Sequence, residues 1–111
     1  MKIAIPTING ELCMHFGHCE VFSVVDVDAT GKIISVKDEV PPPHEPGVLP
    51  KWLGEMGVDI IIAGGMGSRA QQLFTANKVK VVVGASAGKP EDIVKSYLDN
   101  TLTTGNNVCD H

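Results

Sequence analysis

Before residue 41 the apolar residues gather in strand-length stretches, and over Glu20–Val27 the two faces alternate with the two-residue period of an extended strand. Beyond residue 47, short solid apolar runs take turns with stretches where apolar residues return every three or four positions. Lys2–Pro6 (KIAIP) reads as a short buried strand ended by Pro6. In Glu20–Val27, Val21, Ser23, Val25 and Val27 share one face, and Phe22, Val24 and Asp26 share the other. Asp28-Ala29-Thr30-Gly31 is a turn, and Lys32–Val40 returns as the second arm of a hairpin. The proline-rich stretch from Pro41 to Gly47 supports neither helix nor sheet and reads as a semi-rigid loop.

Val48, Leu49, Trp52, Leu53 and Met56 fall at helical spacing, with Gly57 as the stop. Val58–Ala63 is a nearly continuous apolar run, as a central parallel strand should be. Gly64–Gly67 is then a tight loop. Ser68 with Gln71 forms a candidate capping box for a helix that buries Ala70, Leu73 and Phe74, and Asn77 is its candidate left-handed terminator. Val79–Val83 is a further buried strand. Pro90, followed by Glu91 and Asp92, opens a last helix whose Ile93, Val94, Tyr97 and Leu98 face inward. Trp52, Phe74 and Tyr97 read as core. The expected order is β-β-β-α-β-α-β-α, an α/β fold with a mixed five-stranded sheet and flanking helices of the ribonuclease H-like, three-layer kind. Residues 1–99 form a single domain in this reading, and 100–111, without apolar periodicity, a flexible C-terminal tail.

A length of 111 residues bounds the chain to one domain with a real core. The net charge of −4 argues against a general nucleic-acid binder. No apolar run approaches a membrane span and no signal layout opens the chain, so a cytoplasmic protein is expected, with reduced thiols. Three cysteines cannot form a complete disulfide framework.

The densest chemistry is Cys13-Met14-His15-Phe16-Gly17-His18-Cys19, which packs four soft ligands into seven residues just after the first strand. A core gains little from two thiols and two imidazoles in one loop, whereas a transition metal or metal–sulfur cluster gains a great deal. Topology sharpens this. If all strands but the second are parallel, the loops 7–19, 41–47, 64–67 and 84–89 emerge at one carboxyl edge, where open α/β sheets bind ligands. Cys13, His15, His18, Cys19, His44 and Met66 would then ring one mouth. The helices begin at the same edge, and their N-termini, with Arg69 and Lys89, favour an anion; Gly64, Gly65, Gly67 and Gly84 admit a bulky one. Such a rim suits an anionic metal–sulfur cluster better than a bare divalent cation.

His15 alone would suit a loop-capping role; beside Cys13, His18 and Cys19 it reads as a ligand. The two cysteines could instead be small buried hydrophobes. His44 is balanced between a site role and simple exposure. Met66 reads as a packing residue or gate of the cofactor-contacting loop rather than a thioether ligand. Cys109 and His111 are either a ligand arm, which about ten extended residues spanning roughly 30 Å would allow, or an independent end.

With these residues in hand, the chain resembles the dinitrogenase iron–molybdenum cofactor-binding family, in its small stand-alone cofactor-precursor carriers. The resemblance runs from Lys2 to about Leu98. It rests on the KIAIP strand, His15-Phe16-Gly17 followed by VFSVVDVD, His44-Glu45-Pro46-Gly47, and above all DIIIAGGMGSRAQQLF from Asp59 to Phe74. The resemblance implies a ribonuclease H-like fold and binding of iron- or molybdenum-containing sulfur clusters. The related orange protein, which holds a molybdenum–copper–sulfur cluster, looks like another relative. It also implies, as a partner, a nucleotide-dependent ATPase of metal-centre assembly or a cluster-receiving protein. Cys13 and Cys19 are features of this chain rather than of the family motif.

The expected function is therefore non-enzymatic carriage and delivery of such a cluster, with His15, Phe16, Gly17, His44 and Gly64–Gly67 enclosing it. The alternative is a small zinc- or redox-responsive interaction domain built on the Cys13–Cys19 loop, although that spacing matches no standard zinc pattern. A nuclease, suggested by the fold alone, lacks the carboxylates: Ile3-Ala4-Ile5 carries no acid, and Asp26 and Asp28 approach the wrong edge. Catalysis finds no Ser-His-Asp layout, Walker loop, GxGxxG or C-x-x-C.

Overall fold

Alternation along three central strands divides the core into two layers. In the computed structural model, which describes residues 1–13, 19–42, 47–85, 88–99 and 102, the elements run β1 (Lys2–Ile8), β2 (Glu11–Leu12), β3 (Val21–Val27), β4 (Ile33–Glu39), α1 (Val48–Glu55), β5 (Ile60–Ile62), α2 (Ser68–Ala76), β6 (Lys80–Val82) and α3 (Pro90–Leu98). Ala4, Phe22 and Ile61 point into one layer, beneath α1 and α2, with Leu49, Leu53 and Phe74. Ile3, Ile5, Val25, Val27, Ile60 and Ile62 point into the other, beneath α3, with Ile93 and Val94. Their period of two puts each strand's apolar residues on both faces, as a sheet covered on both sides requires.

The sheet order is β4-β3-β1-β5-β6, with β2 paired to the end of β1. β1 is antiparallel to β3 and parallel to β5; β3 and β4 are antiparallel, and β5 and β6 parallel. Thus β1, β4, β5 and β6 share a direction, as the sequence leads one to expect, and their carboxyl ends share an edge. The mixed sheet has six strands among the described residues rather than the expected five. The added strand is β2, and it exists because Asn9 (φ 55) and Gly10 (φ 80) both adopt the left-handed backbone of a two-residue hairpin. Asn-Gly is the strongest short-range signal for such a turn.

Pro6 does not end β1. The Pro6 carbonyl accepts the Cys13 amide at 2.8 Å on the side away from β3. Its nitrogen faces that same side, where the β5 pairing has already stopped at Ala4, so no ladder bond to β3 is lost. The β3–β4 turn is locked by Asp28, whose Oδ1 accepts the Thr30 amide (2.9 Å), the Thr30 hydroxyl (2.7 Å) and the Lys32 amide (3.0 Å). These bonds hold its carboxyl below the usual range, that of the Thr30 hydroxyl most of all.

Gly57 (φ 82) stops α1 as expected. The expected capping box of α2 is absent: Gly67 is the N-cap, and Ser68 is already helical and exposed. Gln71 turns back instead, donating from Nε2 to the Met66 carbonyl at 2.9 Å. Asn77 keeps φ −96, and the left-handed residue is Lys78, at φ 63. Pro90, Glu91 and Asp92 occupy the first turn of α3 as the dipole argument requires.

Candidate functional site

The carboxyl edge of β1 is assembled from both flanks of that strand. On one flank the β1–β2 hairpin leads to Cys13, whose amide donates to the Pro6 carbonyl at 2.8 Å; the preceding Leu12 amide donates to Gly88 at 2.8 Å, tying the hairpin to the segment before α3. On the other flank the chain re-enters β3, where the Glu20 amide donates to Thr7 at 2.8 Å and Glu20 Oε1 accepts the Asn9 amide at 2.8 Å. Successive carbonyls of a strand point to opposite sides, so the chain is held to β1 on one flank at Cys13 and on the other at Glu20, the neighbour of Cys19.

Cys13 is 4% exposed. Cys19 is half-buried and packs against the cluster beneath α1 and α2 that also holds Ala63 and Met66. Burial, and secondarily the proximity of Cys13, push the Cys19 thiol up to about 11. At neutral pH it is a protonated, unreactive thiol, and only a bound cationic centre would draw off its proton.

β5 supplies the third part. Beyond Ile62, pairing with the β6 side continues through Ala63 N to Val82 O (2.9 Å), Gly84 N to Gly64 O (2.9 Å) and Ala85 N to Ala63 O (3.2 Å). Gly64, Gly65 and Met66 are buried, so this turn is a walled part of the edge rather than a loose loop. Met66 is fully buried in the core cluster, in keeping with a packing role. Gly67 differs: a Cβ built on it would meet nothing within 4 Å, so the start of α2 is open to a ligand. None of the helix N-caps, Gly47, Gly67 and Lys89, makes a side-chain capping bond. Their first-turn amides therefore keep their capacity to face an anion.

The structure thus brings Cys13, Cys19, Gly64, Gly65, Met66 and Gly67 to one edge. His15, Phe16, Gly17 and His18 lie outside the described residues, as do His44, Cys109 and His111. Among the described residues, no three His, Cys, Asp or Glu side chains converge as a metal-binding group. No helix among them is long and apolar enough to cross a membrane.

One feature escaped the sequence reading. A cleft of about 600 Å³ lies on the α3 face beside the same edge, lined by Thr7, Ser23, Glu20, Asp38 and Glu91 among others. Its floor is polar because Thr7 and Ser23 are buried and satisfied, Thr7 Oγ1 donating to Val21 O (3.3 Å) and Ser23 Oγ to Asp38 Oδ1 (2.8 Å). Its three carboxylates disfavour an anion, so the anion-tolerant part of the edge is the side formed by Cys19, the glycine turn and the α2 start. The only sequence signal for the cleft was a pair of hydroxyl residues on otherwise apolar strand faces.

The family model described as dinitrogenase iron-molybdenum cofactor matches residues 1–100. The uncharacterized protein MJ0580 of Methanocaldococcus jannaschii is 30% identical over 106 residues, which span 92% of this chain and 89% of that protein. The crystal structure of PH0822 superimposes with a TM-score of 0.85 at 27% identity, covering 95% of this chain and 96% of that one. The apo form of the orange protein from Desulfovibrio gigas shares the fold, with a TM-score of 0.74 at 21% identity over 96% of this chain and 93% of that one.

Proposed function

This chain belongs to the dinitrogenase iron-molybdenum cofactor family, and on that premise we propose that it is a non-enzymatic carrier, which binds an iron- or molybdenum-containing metal–sulfur cluster at the carboxyl edge of its sheet and hands it on. The family and its structural neighbours fit a cofactor-binding or carrier role. The finer reading is carried by one observation: two thiols from segments held to opposite flanks of β1 share an edge with a buried glycine turn, and Cys19 lies against the same cluster as Ala63 and Met66.

Two soft donors delivered by separate segments to one edge suit a metal–sulfur cargo, which thiolates hold. The open backbone at Gly67 gives a bulky group room, and the uncapped helix starts offer amides to its negative charge. His15, His18 and His44, with Cys109 and His111, complete the donor set in this reading. The Cys19 thiol holds its proton until the cargo displaces it, so loading releases a proton there and strengthens with pH. A ribonuclease H-like assignment of the fold belongs to the same reading and is supported by the antiparallel β3 set between β4 and β1. So does a partner in metal-centre assembly, an ATPase or a cluster-receiving protein.

Anaerobic reconstitution with iron, sulfide and molybdate, followed by elemental analysis and an absorption spectrum, tests the proposal. Visible charge-transfer bands with stoichiometric metal are expected, lost or strongly reduced in Cys19→Ala and His15→Ala. Absence of stoichiometric iron or molybdenum under every reconstitution condition defeats it. Tight stoichiometric zinc without any affinity for clusters would favour the interaction-domain alternative instead.

A further inference from the structure

β4 closes one side of the sheet, and its outer backbone has no neighbouring strand among the described residues. The ladder shows which groups face out. The Met1 amine donates to Val27 O at 2.9 Å and the Val27 amide to Met1 O at 2.8 Å, so Val27 turns its peptide groups toward β1. By alternation Phe22, Val24 and Asp26 turn theirs toward β4. Their partners Glu39, Lys37 and Ser35 face back toward them. Val36, Asp38 and Val40 are left with amides and carbonyls directed outward. The register shift opposite Asp26/Val27 breaks the alternation before Ser35, so the uninterrupted run is 36–40.

Exposed apolar surface gathers at the same place: Ile34 is 63%, Val36 38% and Val40 76% exposed. Unpaired edges with exposed apolar side chains are templates for a further strand. The charges along this one decide which strand fits. We propose that β4 pairs antiparallel with β4 of a second copy, about a twofold axis through Asp38, joining two sheets into one. A twofold normal to the sheet preserves its faces, so only registers centred on a residue are allowed. Centring on Lys37 opposes two lysines. Centring on Glu39 opposes two glutamates and brings Pro41 into the ladder. Centring on Val36 or earlier runs into the register shift.

Centring on Asp38 sets Lys37 opposite Glu39 of the partner subunit, twice, and Val36 opposite Val40 of the partner subunit, twice. The cost is one Asp38–Asp38 contact at the axis, where each carboxylate already accepts the Ser23 hydroxyl at 2.8 Å. A ladder this short makes a smaller interface than stable dimers use, so the association is weak and concentration-dependent. The twofold reverses strand direction and points the two cysteine-bearing edges opposite ways, so pairing does not depend on cargo.

Sedimentation equilibrium from micromolar to millimolar protein tests this, with thermal melts confirming that each variant is folded. A concentration-dependent dimer is expected. Lys37→Glu or Glu39→Lys alone should weaken it about tenfold or more, and the two together should restore it to within about threefold, since the charges again oppose. Asp38→Asn should tighten it. A monomer throughout the range overturns the proposal. So does a dimer insensitive to the single changes, a double variant as weak as the singles, or β4 amides that gain protection only when an extended strand of another protein is added.

Discussion

Replacing Met66 separates packing from ligation within the candidate site. Its side chain is fully buried among Ala63, Ile61 and Phe74 in the layer beneath α1 and α2. Met66→Ala removes three methylene-sized groups, about 2.4 kcal/mol at about 0.8 kcal/mol each. The cavity left in a close-packed layer raises the loss to about 3–4 kcal/mol. Against a total stability of about 5–15 kcal/mol that is a large fraction. Met66→Leu keeps the volume and should cost less than about 1.5 kcal/mol. Guanidinium unfolding of the three proteins should show the midpoint falling strongly for alanine and slightly for leucine at constant m. Reconstituted Met66→Leu should carry as much metal as the parent protein. A loss below about 1 kcal/mol for alanine would refute the packing argument, and a leucine variant that folds but fails to load would make the thioether a ligand.

Cys19, with its thiol pushed up to about 11, should alkylate more slowly at pH 8 in the folded protein than in denaturant, as read by mass spectrometry. Cys13→Ala should speed that reaction by removing the second cause of the shift. Because the native thiol keeps its proton longer than the unfolded one, whose ordinary value is 9.0, stability should fall as pH rises from there toward about 11. Gly57→Ala, at φ 82, should cost about 1–2 kcal/mol by forcing a Cβ into left-handed backbone, measured by urea denaturation; an unchanged midpoint would contradict it. Asp28 runs the other way from Cys19: its lowered carboxyl contributes stability above its ordinary value of 3.8, lost as pH falls through the folded one. An NMR titration of Asp28 should show the lowered value, and Thr30→Ala should move it back up.

Elements set by local chemistry were legible. The β3–β4 turn follows from Asp28 and Gly31, the end of α1 from Gly57, the start of α3 from Pro90 and the two acids after it. Readings failed where a residue's partner is distant or where two local signals compete. Pro6 looked like a strand end until its nitrogen was seen to face the flank where β5 pairing had stopped. Ser68 looked like a cap, yet Gly67 holds that position and Gln71 reaches back to Met66. Asn77 looked like the left-handed residue, but the chain turns at Lys78. The Asn9-Gly10 hairpin was a local signal overlooked beside the conspicuous cysteines and histidines that follow it.

By itself the sequence determined which residues are apolar, at what period, and where the chain must turn, because propensity and patterning act over a few neighbours. It also determined the inventory of soft donors. Only the tertiary structure decided that β1 runs between β3 and β5, that Cys13 and the Cys19–Glu20 segment meet it on opposite flanks, and that β4 is the outermost strand among the described residues. Those outcomes depend on which strands pair across tens of residues, and pairing is settled by burying both faces of the sheet at once, a condition no short stretch of chain can express.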